Sequence, residues 1–179
     1  MSARPTVVIL CPKEFKFTDN EATVEQPFLR DVADLSTVWL DFNGPITDAV
    51  LNAHALILWH GPLITAEIIA RLPHCRAIIR NGVGFDTVDI AAAANAGIPV
   101  CNVPDYGTEE VADHAIALAL ALCRQILPLD AEAKTLGWNI RVTPRLRRLS
   151  TLTFGIVGLG RIGTATALRA KALGFKVVF

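Results

Sequence analysis

Short runs of β-branched and aliphatic residues alternate along the chain with longer segments of helical spacing. The runs fall at residues 6–10, 36–40, 55–59, 76–80 and 98–102, and this alternation predicts parallel strands joined by crossover helices. Thr6-Val7-Val8-Ile9-Leu10 and Ala55-Leu56-Ile57-Leu58-Trp59 are apolar throughout, the pattern of strands covered on both faces. The first hundred residues therefore read as one α/β unit with a doubly wound parallel sheet. Residues 63–72 have helical spacing, are introduced by Gly61-Pro62 and stop at Pro73. Asp86, with Asp89 three positions on, is placed to cap a helix over 90–94, and Gly97 supplies its exit. A long helix is expected from about Thr108 to Leu127, opened by Glu109-Glu110 at its positive end and interrupted by Pro128.

Residues 137–150 are polar and Arg-rich and contain Pro144, so they read as a linker. A second unit begins after it, with a strand over 152–157, a helix over 161–173 and a strand over 175–179. The sharpest signal in the chain lies here: Gly155-Ile156-Val157-Gly158-Leu159-Gly160-Arg161-Ile162-Gly163 is a G-x-G-x-x-G placed where a strand turns into a helix. Gly158 permits the tight turn, Gly160 lets backbone approach a pyrophosphate, and Gly163 lets the helix pack closely on the strand. The free N–H groups of that helix then meet the anion. An acidic residue about 20 positions beyond the glycines is expected to bond the ribose hydroxyls, and the sequence ends at Phe179 before reaching it. Two strands and one helix cannot cover both faces of a sheet. The expectation is a truncated second unit, from the front part of a longer protein or completed by something else.

Composition narrows the function classes. The 179 residues carry 17 Lys+Arg against 17 Asp+Glu, and 52% are hydrophobic, so no field gathers nucleic acid or an acidic membrane. The longest apolar run, residues 115–123, is far short of the roughly 20 residues of a spanning helix. The N-terminal stretch is too short for a signal-peptide core, which makes the cytoplasm the expected location. Cys11, Cys75, Cys101 and Cys123 show neither C-x-x-C spacing nor a nearby His. No zinc site or other metal site is expected from them, and they read as reduced, mostly buried thiols.

In open α/β sheets, ligands bind beyond the carboxyl ends of the strands. The run 76–80 leads into Asn81-Gly82-Val83-Gly84-Phe85-Asp86, where two glycines allow successive N–H groups to form an anion nest beside the Arg80 guanidinium. Such a loop suits a small carboxylate. The alternative is an ordinary Gly-rich turn with Arg80 solvated. His60, in the loop after Trp59, lies at an equivalent sheet end and is a candidate substrate contact or an ordinary surface-loop histidine.

Four segments in order complete the picture: Arg80-Asn81-Gly82-Val83-Gly84-Phe85-Asp86-Thr87-Val88-Asp89, Gly97-Ile98-Pro99-Val100-Cys101-Asn102-Val103-Pro104, Glu109-Glu110-Val111-Ala112-Asp113-His114 and the Gly155–Gly163 turn. Together they make the chain resemble the D-isomer-specific 2-hydroxyacid dehydrogenases, most nearly the branch resembling the C-terminal-binding proteins. The resemblance is sharpest from Ala77 onward, whereas residues 1–75 match mainly in pattern. Ser150-Thr151 depart from the Arg-Gly that often precedes this strand in the family.

The resemblance implies a flavodoxin-like substrate domain over 1–103, a connecting helix and linker over 104–150, and the opening of an NAD-binding Rossmann domain over 151–179. It implies NAD as cofactor, with NADP open because the deciding residue lies past Phe179. The reaction implied is oxidation of a D-2-hydroxy acid or reduction of a 2-oxo acid, with a homodimer as the assembly. Arg80, Val83, Gly84 and His60 are the implied substrate-side residues. Gly158, Gly160, Arg161, Ile162 and Gly163 match the pyrophosphate loop, and Val83 and Val111 match positions beside the nicotinamide. The family's catalytic Arg, Glu and His belong to later segments, so no catalytic residue is expected in these 179 residues and the chain alone is expected to be inactive. Hydride transfer to a 2-oxo acid needs a proton donor and a cation at the substrate, and none of the four histidines is assigned that role. His114 is expected to pack.

Two features stay open. Arg141, Arg145, Arg147 and Arg148 form a possible phosphate patch, disfavoured by zero net charge and the lack of interleaved aromatics. The Ala/Leu-rich face of residues 115–122 suits either a partner helix or core packing. The leading reading is an NAD(P)-dependent oxidoreductase. The alternative is a non-catalytic, nucleotide-sensing or corepressor-like protein, or a truncated product without activity.

Overall fold

The computed structural model describes residues 4–15, 22, 24–42, 44–135, 139 and 146–179. Most of the expected linker, including Arg141 and Arg145, lies outside the described residues. The chain divides into two compact units, Met1–Pro104 and Asp105–Phe179.

The first unit carries β1 (Thr6–Pro12), β2 (Asp34–Leu40), β3 (Ala55–Leu58), β4 (Ile78–Arg80) and β5 (Val100–Asn102). They form one parallel sheet in the order β2-β1-β3-β4-β5, the flavodoxin-like doubly wound order, which reverses at β1/β3. The unbroken apolar run of β1 serves both faces. Val8 and Leu10 join Leu56, Leu58 and Ile78 in one core cluster, while Val7, Ile9 and Cys11 join Ile57 in another. Burial pushes the Cys11 thiol up to about 11, aided by the Glu25 charge.

One helix of this unit is shorter than its sequence pattern. Besides α1 (Gln26–Leu29) and α2 (Asp48–Leu51), α3 covers only Ala66–Ile69 of the expected 63–72. The cause is pairing: Ile64 forms a parallel bridge with Val88, with Ile64 N–H donating to Thr87 and Asp89 N–H to Ile64. Residue 64 is thereby held extended, and the helix starts only at the Thr65 cap. The same bridge corrects the cap of α4 (Ile90–Asn95). Asp89, not Asp86, accepts from the Ala92 N–H at 2.9 Å. Gly97, at φ +70°, ends the helix as expected. The cysteines also need correction: Cys11 and Cys75 are buried, Cys101 is exposed and Cys123 lies between.

The second unit holds α5 (Thr108–Cys123), α6 (Ile126–Lys134), β6 (Thr153–Gly155), α7 (Arg161–Ala172) and β7 (Lys176–Val178). The expected single helix to Leu127 is two helices bent by 62°, turned by Gln125 in the left-handed region at φ 55°. Pro128 does not end a helix. It sits in the first turn of α6, where its missing N–H has no intrahelical partner to lose. Among the described residues, no single helix is long and apolar enough to cross a membrane. β6 and β7 are parallel, and Phe154 meets Phe175 edge-on at 5.4 Å between ring centroids. Ile116, Ala170 and Phe175 form the core. Across the α5–α7 contact, Arg169 pairs with Asp113 and, at 3.0 Å, with Glu109, which together raise its already high pKa. His114, expected to pack, lies exposed on α5, because Ala112 and Ile116 take the buried face.

Candidate functional site

The loop after β4 is tied down on both sides. Asn81 N–H donates to the Leu58 carbonyl at the end of β3 (2.7 Å), and Val103 N–H donates to the Gly82 carbonyl (3.0 Å). The Asn102 amide donates Nδ2–H to the Val83 carbonyl at 2.8 Å. In a trans peptide the N–H points opposite to the C=O. With the Gly82 and Val83 carbonyls both engaged by the end of β5, the N–H groups of Val83 and Gly84 point away from it. Neither has an acceptor among the described residues, and both residues are exposed. Two successive outward donors are what an anion nest requires.

Arg80 ends β4 at only 8% exposure, which overturns the alternative of a solvated arginine. Its Nη1–H donates to the Asn81 carbonyl at 2.7 Å, while Nε is buried without a partner. A Cβ at position 82 would sit 1.9 Å from Arg80 Nη1, so Gly82 leaves the space that the guanidinium fills. A buried cation beside a loop with two outward N–H donors favours an anion at that loop. His60 is exposed, two positions beyond the end of β3.

The second unit presents the Gly155–Gly163 turn. Its three later glycines have three different reasons. Gly158 has φ +92°, which side chains rarely tolerate. A Cβ on Gly163 would lie 2.0 Å from the Gly158 carbonyl oxygen, so this glycine closes the turn onto α7. A Cβ on Gly160 meets nothing within 4 Å; as the N-cap of α7 the position favours glycine over alanine but accepts Ser, Thr, Asn or Asp as well. The missing side chain leaves open space at the start of α7, where no side chain caps the helix and the first N–H groups, of Arg161, Ile162 and Gly163, have no intrahelical acceptor. Val111, on α5 in the same unit, is half exposed.

The remaining histidines have structural partners. His54 Nδ1 lies 3.2 Å from the Thr6 N–H and 3.0 Å from its hydroxyl, and its ring stacks on His74. Sequence reasoning missed Asn102 as a loop ligand. Its one available signal was its position at the carboxyl end of a strand, in register with Arg80.

A family model for the D-isomer specific 2-hydroxyacid dehydrogenase catalytic domain matches residues 16–174, and the chain belongs to this family. D-3-phosphoglycerate dehydrogenases from Mycobacterium bovis and Mycobacterium tuberculosis are 39% identical over 144 residues, which is 78% of this chain and 27% of each enzyme. The solved D-lactate dehydrogenase of Aquifex aeolicus, complexed with NAD and lactic acid, is 26% identical with a TM-score of 0.78 over 96% of this chain and 50% of that one. A Granulicella formate dehydrogenase is 32% identical with a TM-score of 0.73 over 84% of this chain and 42% of its own. The chain thus spans half or less of the length of these relatives.

Proposed function

We propose that the protein is an NAD(P)-dependent oxidoreductase that interconverts a D-2-hydroxy acid and a 2-oxo acid. The observation that carries this reading is Gly160: the space at this N-cap would admit the side chain of a Ser, Thr, Asn or Asp cap, and a dinucleotide pyrophosphate on the uncapped start of α7 explains why none is there. Gly158, Gly160, Arg161, Ile162 and Gly163 would hold the pyrophosphate. The Val83 and Gly84 N–H groups bind the substrate carboxylate, with Arg80 supplying positive charge from beneath and His60 contacting the substrate. Support for the chemistry comes from the Aquifex relative, which was solved with NAD and lactic acid. NAD is the expected cofactor. When bound, the reduced nicotinamide would supply the hydride for reduction of the 2-oxo acid. We further read the protein as a homodimer, since Leu118 and Leu122 leave an apolar face exposed on α5, and as cytoplasmic, the location its N-terminal sequence leads us to expect.

The test is steady-state assay of the full-length protein with NADH or NADPH against glyoxylate, pyruvate and hydroxypyruvate. Oxidation of NADH with at least one of them is expected. No turnover with any 2-oxo acid, despite NADH binding, would replace this reading by a nucleotide-sensing one.

A further inference from the structure

We propose that Asn102 is a positioning residue for the carboxylate site, aiming the Gly84 N–H through its grip on the Val83 carbonyl. This inference rests on the reading of the loop as the carboxylate site. The Val83–Gly84 peptide carries one acceptor and one donor that point in opposite directions, so whatever fixes the carbonyl fixes the donor. Asn102 Nδ2 is the only partner of that carbonyl among the described residues, at 2.8 Å across a sequence separation of 19.

The neighbouring Gly82–Val83 peptide is fixed by backbone alone, through Val103 N–H. The first donor of the nest is therefore built into the end of β5 whatever side chain follows, whereas the second depends on one side chain. Residue 102 is well placed for this task because register sets it opposite Arg80, at the strand end beside the loop. A carboxamide suits the task because it offers N–H donors without a charge that would compete with Arg80 for the substrate carboxylate. Without that bond the Val83–Gly84 peptide is free to rotate, and its carbonyl then presents a negative dipole where the substrate anion sits.

The experiment compares Asn102→Asp, Asn102→Leu, Asn102→Gln and Arg80→Ala in the full-length protein, reading KM for the oxo acid, kcat, KM for NADH and the thermal midpoint. Asn102→Asp is isosteric, lacks the donor and adds a charge that by itself repels a carboxylate. It is expected to raise KM for the oxo acid about tenfold or more, the scale of one lost hydrogen bond plus a misdirected dipole, with KM for NADH unchanged within about twofold. Asn102→Leu, which has neither donor nor charge, is the control and is expected to raise KM for the oxo acid too. Asn102→Gln, which keeps the carboxamide, is expected to leave KM for the oxo acid close to that of the wild type. If Arg80→Ala raises KM for the oxo acid and Asn102→Leu does not, the positioning role is wrong while the site stands. If neither variant, nor Arg80→Lys where Arg80→Ala does not fold, changes that KM, the loop is not the carboxylate site. Equal losses for both substrates with a lowered midpoint in Asn102→Asp would mark a structural role only and overturn the proposal.

Discussion

The two units bury their sheets differently. In the first, β1 sends Val8 and Leu10 into one cluster and Val7, Ile9 and Cys11 into another, so both faces are covered. In the second, Phe154 and Val177 pack toward Ile116 and Phe175, while Thr153, Gly155, Lys176 and Val178 on the opposite face are exposed. The candidate sites follow suit. The first unit's loop is fastened by three hydrogen bonds to the ends of β3 and β5 and has an arginine buried beneath it. The second unit's turn lies open and keeps its shape through one left-handed glycine and one close approach. A small carboxylate needs a few donors in fixed directions, whereas a dinucleotide pyrophosphate needs backbone that can approach it closely.

This contrast makes predictions that differ between the units, beginning with the largest. Leu10 is fully buried, so Leu10→Ala is expected to destabilise by about 2–5 kcal/mol in denaturant unfolding. Leu168, 65% exposed in the second unit, is expected to cost less than about 0.5 kcal/mol when cut to Ala. Equal costs would erase the difference in burial. Next, Gly163→Ala drives a methyl group into the Gly158 carbonyl and is expected to cost about 1–3 kcal/mol, lowering the thermal midpoint with or without ligand. An unchanged midpoint would mean that the turn relaxes freely.

The smallest effect is a pH dependence of the first unit. Burial pushes the folded Cys11 thiol up to about 11, above the ordinary thiol value of 9.0. Protonated below both values, it is neutral in either state up to about pH 9. The unfolded thiol then ionises first, and stability falls between about pH 9 and pH 11. Cys11→Ala is expected to flatten this part of the stability curve. A slope identical to that of the wild type would place the titrating group elsewhere.

The fold was legible where hydrophobic pattern alone decides it. The apolar run of β1 announced a sheet covered on both faces, and the glycine spacing announced the turn before α7. What escaped was set by pairing between distant segments. The Ile64–Val88 bridge shortened α3 and moved the α4 cap from Asp86 to Asp89, and neither residue signals that contact locally. Pro128 misled because a proline that ends one helix and a proline in the first turn of the next look alike until Gln125 is seen turning the chain. At the candidate site, the two glycines of the loop were visible, but the burial of Arg80 and the grip of Asn102 depend on β5 lying beside β4.

The most direct test of the account is the NADH affinity of Gly160→Ala in the full-length protein, measured by calorimetry alongside its thermal midpoint. An added methyl group meets nothing in the fold, so the midpoint is expected to fall by no more than the few degrees that exchanging glycine for alanine at the N-cap of α7 costs. NADH binding is expected to weaken about tenfold or more, because the methyl group occupies the approach of the pyrophosphate. Unchanged affinity would show that no dinucleotide passes over Gly160 and would contradict the proposed function at its root.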